Sequence, residues 1–229
     1  PSLVFLEPQS FMGGLAKSRD NITAGEVRCA GRKPKTKGTT MTMTVPSSSP
    51  SAPSPLALSA QQALILCIDV QERLAQAMHE ELLERLVHNA CNLLRGAQAL
   101  GVPVLVSEQY RKGLGLTLPS LSDALPAATP RFEKIHFSAW ADPAIAKAIV
   151  DSGRSQIIVF GMETHICVYQ TVRDLAHVGY RVHVPHDAVC SRDPENLRVG
   201  LVLAERAGAT VTATETILFG LLGRAGTPE

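Results

Sequence analysis

The chain is expected to fold as an α/β domain, a doubly wound, mostly parallel six-stranded sheet with helices on both faces. Three observations lead there. Short apolar runs of strand length alternate along the chain with segments of helical period. Apolar residues make up 45% of the sequence but aromatics only 4%, so the core is built mainly of Leu, Val, Ile and Ala. Strands that alternate with helices pair in parallel through right-handed crossovers, which puts helices on both sides of the sheet.

The elements follow in order. Ala63–Asp69 (ALILCID) is an apolar run of strand length. Glu80–Leu100 carries Leu82, Leu83, Leu86, Val87, Ala90, Leu93, Leu94 and Ala97 at helical spacing, and Gly101 stops it. Val102–Ser107 is a second strand, followed by a Gly- and Leu-rich loop from Glu108 to Leu125. Arg131–His136 reads as a third strand. Asp142-Pro143 is an N-cap and N1 pair that opens a helix to about Val150. Gln156–Phe160 is a fourth, buried strand, and a helix from about Ile166 to His177 stops before Gly179. Tyr180–Pro185 is a fifth strand. Asp193-Pro194 caps a helix ending near Ala207, Ala209–Ala213 is the sixth strand, and Glu215–Leu222 is a last short helix.

Outside this pattern lies a tail. Residues 1–58 show no sustained apolar period and include the Pro/Ser tract PSSSPSAPSP, so they are expected to be a disordered extension ahead of a domain at 59–223, with 224–229 a short C-terminal tail. Met41 or Met43 is the expected translation start, and peptides from residues 1–40 in a mass spectrum would refute that; a targeting peptide is the rival reading. Of 22 Lys and Arg and 21 Asp and Glu in the chain, residues 1–45 hold seven and three, and residues 46–58 hold none. That leaves 15 bases and 18 acids from residue 59 on, a net charge of −3. An acidic domain lacks the basic face that phosphate backbones require, which argues against nucleic acid as a partner. No run of about 18 apolar residues occurs, so no membrane-spanning helix is expected. Five cysteines, an odd number with no C-x-x-C pair, argue for a reducing, cytoplasmic setting over a disulfide framework or a zinc knuckle.

Ligands of such sheets bind beyond the C-terminal strand ends. Three reactive residues fall there. Asp69 directly follows the first strand, where it is either a chemical group or a structural acid. Lys134 lies in RFEKIHF between two phenylalanines, where an edge-strand gatekeeper is the alternative. Cys167 opens a helix six residues after the fourth strand, where N–H groups and the helix dipole are expected to lower its pKa. A small buried hydrophobe is the alternative reading of that cysteine. Cys67 and Cys91 are read as buried, and Cys190 is the rival nucleophile. An acid, a lysine and a thiol at three strand ends supply a base, a positive charge and a nucleophile.

The segments LCIDVQERL (66–74), EKIHFSAW (133–140) and VFGMETHICVYQTVRDL (159–175), with SEQYRKGLG (107–115) and GATVTATETILFGLLG (208–223), resemble the isochorismatase-like cysteine hydrolase superfamily. The likeness is greatest to isochorismatase domain-containing proteins and their bacterial relatives. It covers Gln61 to Gly223. The resemblance implies a Rossmann-like six-stranded parallel sheet and a triad. In it Asp69 takes the Cys167 proton, Lys134 holds Asp69 and the substrate, and Cys167 attacks a carbonyl to form a thioester that water hydrolyses. It also implies a cis Met162–Glu163 peptide, with the Glu163 and Cys167 N–H groups as an oxyanion hole. Gln71 and Tyr110 are weaker candidates to line a substrate pocket, with a structural hydrogen-bonding role the equal alternative for each. Trp140 and Phe137 read as core or subunit contacts, and His136, His165 and His183 as structural. Metal-dependent relatives carry Asp-x-His after the second strand, where this chain reads Glu108-Gln109-Tyr110. No metal and no cofactor are therefore implied. Isochorismatases proper lack the nucleophilic Cys, so Cys167 favours acyl chemistry on a small molecule. The family also implies a homo-oligomer. A non-catalytic interaction module and a thiol redox protein are the rival functions.

Overall fold

The computed structural model describes Ser54 and residues 56–226, and the expectations for the rest of the tail and for residues 227–229 lie outside them. The described residues hold seven strands, all paired in parallel: β1 (Ala63–Ile68), β2 (Val104–Gln109), β3 (Arg131–Lys134), β4 (Gln156–Met162), β5 (Arg181–Pro185), β6 (Val189–Cys190) and β7 (Thr210–Thr212). The spatial order is β3-β2-β1-β4-β5-β7, and β6 pairs with β4. Six strands were expected. The seventh, β6, pairs Val189 and Cys190 with Gly161 and Met162, beyond the point where β5 leaves β4. Two residues are too short to produce an alternation that a sequence could reveal.

Alternate residues of the central strands feed two cores. Ala63, Ile65 and Cys67 of β1 and Ile158, Phe160 and Met162 of β4 face one side. There they meet helices α2 (Glu80–Leu100), α4 (Pro119–Ala124) and α8 (Thr214–Leu222). Leu64, Leu66, Ile68, Ile157 and Val159 face the other side, against α5 (Pro143–Asp151), α6 (Tyr169–His177) and α7 (Pro194–Arg206). Every residue of β1 and β4 is buried, as parallel strands covered on both faces require.

The helix boundaries follow local chemistry. Asp142 accepts hydrogen bonds from the Ala144 and Ile145 N–H groups, and Asp193 from those of Glu195 and Asn196. Gly101 ends α2 at φ +65°, a left-handed conformation that favours glycine. The loop expected at 108–125 holds two short helices, α3 (Arg111–Leu114) and α4; α1 (Glu72–Ala75) is a further single turn. Residues ahead of 59 also touch the domain. Leu58 packs on the first core, and the Gln156 side-chain amide donates to the Ala57 carbonyl at 2.6 Å.

Candidate active site

The chain runs outward from β1 through β2 to β3 and, on the other side, from β4 to β5 and β7. The crevice of such a sheet lies at that reversal, between β1 and β4. Asp69 follows β1, and Cys167 lies in the segment after β4. Register aligns the rest of the rim, with Ile68 beside Ser107 and Gln109 beside Lys134.

The structure brings Asp69, Lys134 and Cys167 together. Asp69 is fully buried at φ +51°, a left-handed backbone that Asp tolerates better than most residues. Its N–H donates to the Ser107 carbonyl at 3.1 Å, and the Ser107 hydroxyl donates to Asp69 Oδ1 at 2.7 Å. Lys134, the last residue of β3, brings Nζ to 2.7 Å from Asp69 Oδ2, with both side chains wholly out of solvent. An ammonium has three N–H donors. Those of Lys134 point at Gln109 Oε1 (2.7 Å), the His136 carbonyl (3.1 Å) and the Phe137 carbonyl (3.2 Å). Lys134 therefore acts on Asp69 by charge. Nζ thus lies within 3.2 Å of four oxygens, Asp69 Oδ2 among them. Oδ2 receives the ionic contact but no aligned hydrogen bond, so a lone pair remains for a proton.

The Cys167 thiol is close enough to Asp69 and Lys134 for both charges to act on it. Cys167 does not open an ordinary helix. It sits in a π-helical turn, Thr164–Val168, ahead of α6. Nor is its pKa lowered, as a helix N-terminus suggested. Burial and the Asp69 carboxylate push the thiol up to about 12, against the opposing pull of Lys134 and the Glu163 N–H. Desolvation and a neighbouring anion outweigh the local dipoles. The rival Cys190 is fully buried in β6, with its thiol also pushed up to about 12 by burial and by Glu163. Cys67 and Cys91 are buried as expected, and burial raises both thiols.

The turn that carries Cys167 is held from three sides. The peptide bond between Met162 and Glu163 is cis. The Thr171 hydroxyl donates to the Cys167 carbonyl at 2.7 Å and accepts from the Ala139 N–H at 2.9 Å, tying the turn to the segment after β3. Ser191 Oγ accepts from the Thr164 N–H at 3.1 Å, and the buried Glu163 carboxylate is paired with Arg192. Gly200 of α7 lets that helix approach closely, since a Cβ there would come within 2.7 Å of the His165 nitrogen.

The weaker candidates divide. Gln71 is fully buried and its amide is spent on backbone: Nε2 donates to the Gln109 and Gly115 carbonyls and Oε1 accepts from the Gln109 N–H. It clasps neighbouring loops, which is the structural hydrogen-bonding alternative for this residue. Tyr110, at φ +39° and 48% exposed, lines a cleft of about 600 Å³ that also borders Lys134, Glu133 and His136. Trp140 packs edge-on against Tyr180 in the second core, as expected of a core residue, whereas Phe137 is half exposed. Sequence reasoning missed Gln109, Ser107 and Arg192 as partners of the site. Gln109 and Ser107 lie at the C-terminal end of β2, where position alone could have singled them out.

Glu108, in the stretch where metal-dependent relatives carry ligands, is buried and already engaged. The Thr117 N–H and hydroxyl donate to it at 2.8 and 2.6 Å, and Arg111 Nε at 2.5 Å. Burial raises its pKa, but these donors outweigh it and hold the carboxyl below the usual range. Among the described residues, no group of three or more His, Cys, Asp or Glu could hold a metal ion, and no helix is long and apolar enough to cross a membrane.

The isochorismatase domain model matches residues 63–216. Isochorismatase domain-containing protein 1 of Danio rerio is 36% identical over 166 residues, which cover 72% of this chain and 57% of that protein. The chain thus spans little more than half the length of this relative. Among solved structures, the MAR1 ribonuclease from Caenorhabditis elegans superposes with a TM-score of 0.70 at 32% identity, over 75% of this chain and 87% of that one. The YcaC gene product of Escherichia coli, described as an octameric hydrolase of unknown specificity, superposes at 0.67 and 21% identity, over 74% and 83%. At that identity it supports the fold alone. By the extent of the domain match, the chain belongs to the isochorismatase domain family.

Proposed function

We propose that this domain hydrolyses a small amide or related acyl substrate through a thioester on Cys167, without a metal. The observation that carries the reading is the buried Asp69–Lys134 pair set against the Cys167 thiol. A thiol with a raised pKa is no free thiolate at neutral pH, so its proton must leave as the sulfur attacks. Asp69 is placed to take it. The Cys167 sulfur then bonds to the carbonyl carbon, and the oxyanion is met by the Glu163 and Cys167 N–H groups. The leaving amine takes the proton back from Asp69. Water attacks the thioester, gives its proton to Asp69, and the thiolate leaves and is reprotonated. Lys134 keeps Asp69 oriented between steps. Metal independence rests on the engaged state of Glu108.

The domain is proposed to work as a homo-oligomer in a reducing, cytoplasmic compartment. The family resemblance supports the first part, and the four buried free thiols among the described residues the second. The ribonuclease description of another relative favours RNA as an alternative substrate. The net charge of −3 from residue 59 on and a site sunk below the surface weigh against it. A screen of small amides and esters, run beside a labelled RNA, separates the two. Turnover of an acyl substrate that Cys167→Ala abolishes supports the proposal; RNA cleavage without acyl turnover contradicts it.

A further inference from the structure

The segment that leaves β6 grips the turn ahead of Cys167 residue by residue. The Cys190 carbonyl accepts from the Thr164 hydroxyl at 2.9 Å, and Ser191 Oγ lies 3.1 Å from His165 Nδ1. Arg192 takes the Glu163 carboxylate twice, through its side-chain Nε–H and through its own backbone N–H at 3.4 Å. Glu163 is only 3% exposed, whereas 44% of the Arg192 side chain meets solvent. A buried carboxylate is costly unless it is paired, and an apolar side chain would serve packing alone.

The charge of Glu163 matters because of where it sits. A glutamate side chain is short, so the carboxylate stays near the Glu163 N–H, which meets the oxyanion under the hydrolytic reading. An anion there opposes the negative charge that develops as the sulfur attacks a carbonyl. Its field already reaches a neighbouring thiol: after burial, Glu163 is the next cause that pushes Cys190 up. His165 Nδ1 is 3.5 Å from Glu163 Oε2, but burial lowers the imidazole pKa, so a neutral ring cancels nothing at pH 7. Lys134 is committed to Asp69. Arginine stays charged at any working pH.

We infer that Arg192 is a positioning residue for acyl transfer, which acts through Glu163 by holding its carboxylate neutralised so that the charge does not oppose the oxyanion. The inference rests on the hydrolytic reading, because without a carbonyl substrate no oxyanion forms.

The test compares two reactions of one sulfur in the full chain, each followed as an initial rate by mass spectrometry of the Cys167 peptide. Acetylation by p-nitrophenyl acetate passes through an oxyanion; alkylation by iodoacetamide does not. Both consume the thiol proton, so the ratio of the two rates isolates the oxyanion. That ratio is expected to fall about tenfold or more in Arg192→Gln, which keeps a donor to Glu163 but not the charge. It should stay within about threefold of the parent in Arg192→Lys, which keeps the charge, and in Arg192→Gln/Glu163→Gln, where neither charge remains. A purely structural tether would lower both rates together, and an unmoved ratio in Arg192→Gln overturns the inference. So does a fall of about tenfold in Arg192→Lys or in the double variant. Those two carry the test if Arg192→Gln fails to fold. A parent chain that is never acetylated on Cys167 removes the hydrolytic reading and this inference with it; an acetylated parent with an unmoved ratio removes this inference alone.

Discussion

The ion pair of Lys134 and Asp69 is wholly buried, and each charge depends on the other. Removing one partner leaves an uncompensated charge in the interior. Lys134→Met is therefore expected to lower unfolding free energy in urea by roughly 3–5 kcal/mol. The double variant Lys134→Met/Asp69→Asn should recover much of the loss, because no charge remains. A double variant as unstable as the single one would show that packing, and not charge, sets the cost. The thiol supplies a second prediction. Because burial and Asp69 raise Cys167, iodoacetamide labelling should be slow at pH 7 and keep climbing beyond the ordinary thiol value of 9.0. Asp69→Asn should lower the apparent pKa and speed labelling while it abolishes hydrolysis. A plateau near the ordinary value, unchanged in Asp69→Asn, would contradict this. The same raised pKa favours the protonated fold. Its stabilising contribution is complete below about pH 9 and is lost as pH climbs toward 12. At this scale, Asp69, Lys134 and Cys167 were legible because strand ends mark the rim of a parallel sheet. The clasp role of Gln71 and the partnership of Gln109 with Lys134 were not, since both depend on which loops lie side by side.

The Cys167 turn is where an element departs most from sequence expectation. The pattern from Ile166 to His177 reads as one helix, but its first part is a π-helical turn that follows β4 and packs against α7. What selects the turn is tertiary: Ser191 and Arg192 reach it from the end of β6, and Gly200 clears space for it. None of these contacts has a local sequence signal. In an isolated helix Gly→Ala stabilises by about 1 kcal/mol. Here the added Cβ would press on the His165 backbone, and such overpacking costs about 1–3 kcal/mol. Gly200→Ala is expected to lower the urea midpoint and kcat together. A raised midpoint would mean that α7 and the turn are free to separate. Caps behaved differently: Asp142-Pro143 and Asp193-Pro194 were legible because the chemistry of a helix start is local.

For the whole molecule, the alternation of strands and helices was enough to give a parallel sheet covered on both faces. It could not give the strand order, nor β6, because pairing between distant segments leaves no local period. The strand order matters for chemistry, since the reversal between β1 and β4 is what sets Asp69 against Cys167. Assembly belongs to this scale as well. Sedimentation of the full chain is expected to give a species larger than one subunit, and a monomer at all concentrations would refute the proposed homo-oligomer.

The most direct test of the central claim is to look for the thioester itself. The full chain is mixed with p-nitrophenyl acetate, a generic acyl donor, quenched in acid and mapped by mass spectrometry. The account predicts an acetyl group on Cys167 that hydroxylamine removes, an adduct that persists in Asp69→Asn, where the base for thioester hydrolysis is gone, and none in Cys167→Ala. Hydrolysis that continues undiminished in Cys167→Ala, with no adduct on Cys167 in the parent chain, would contradict it.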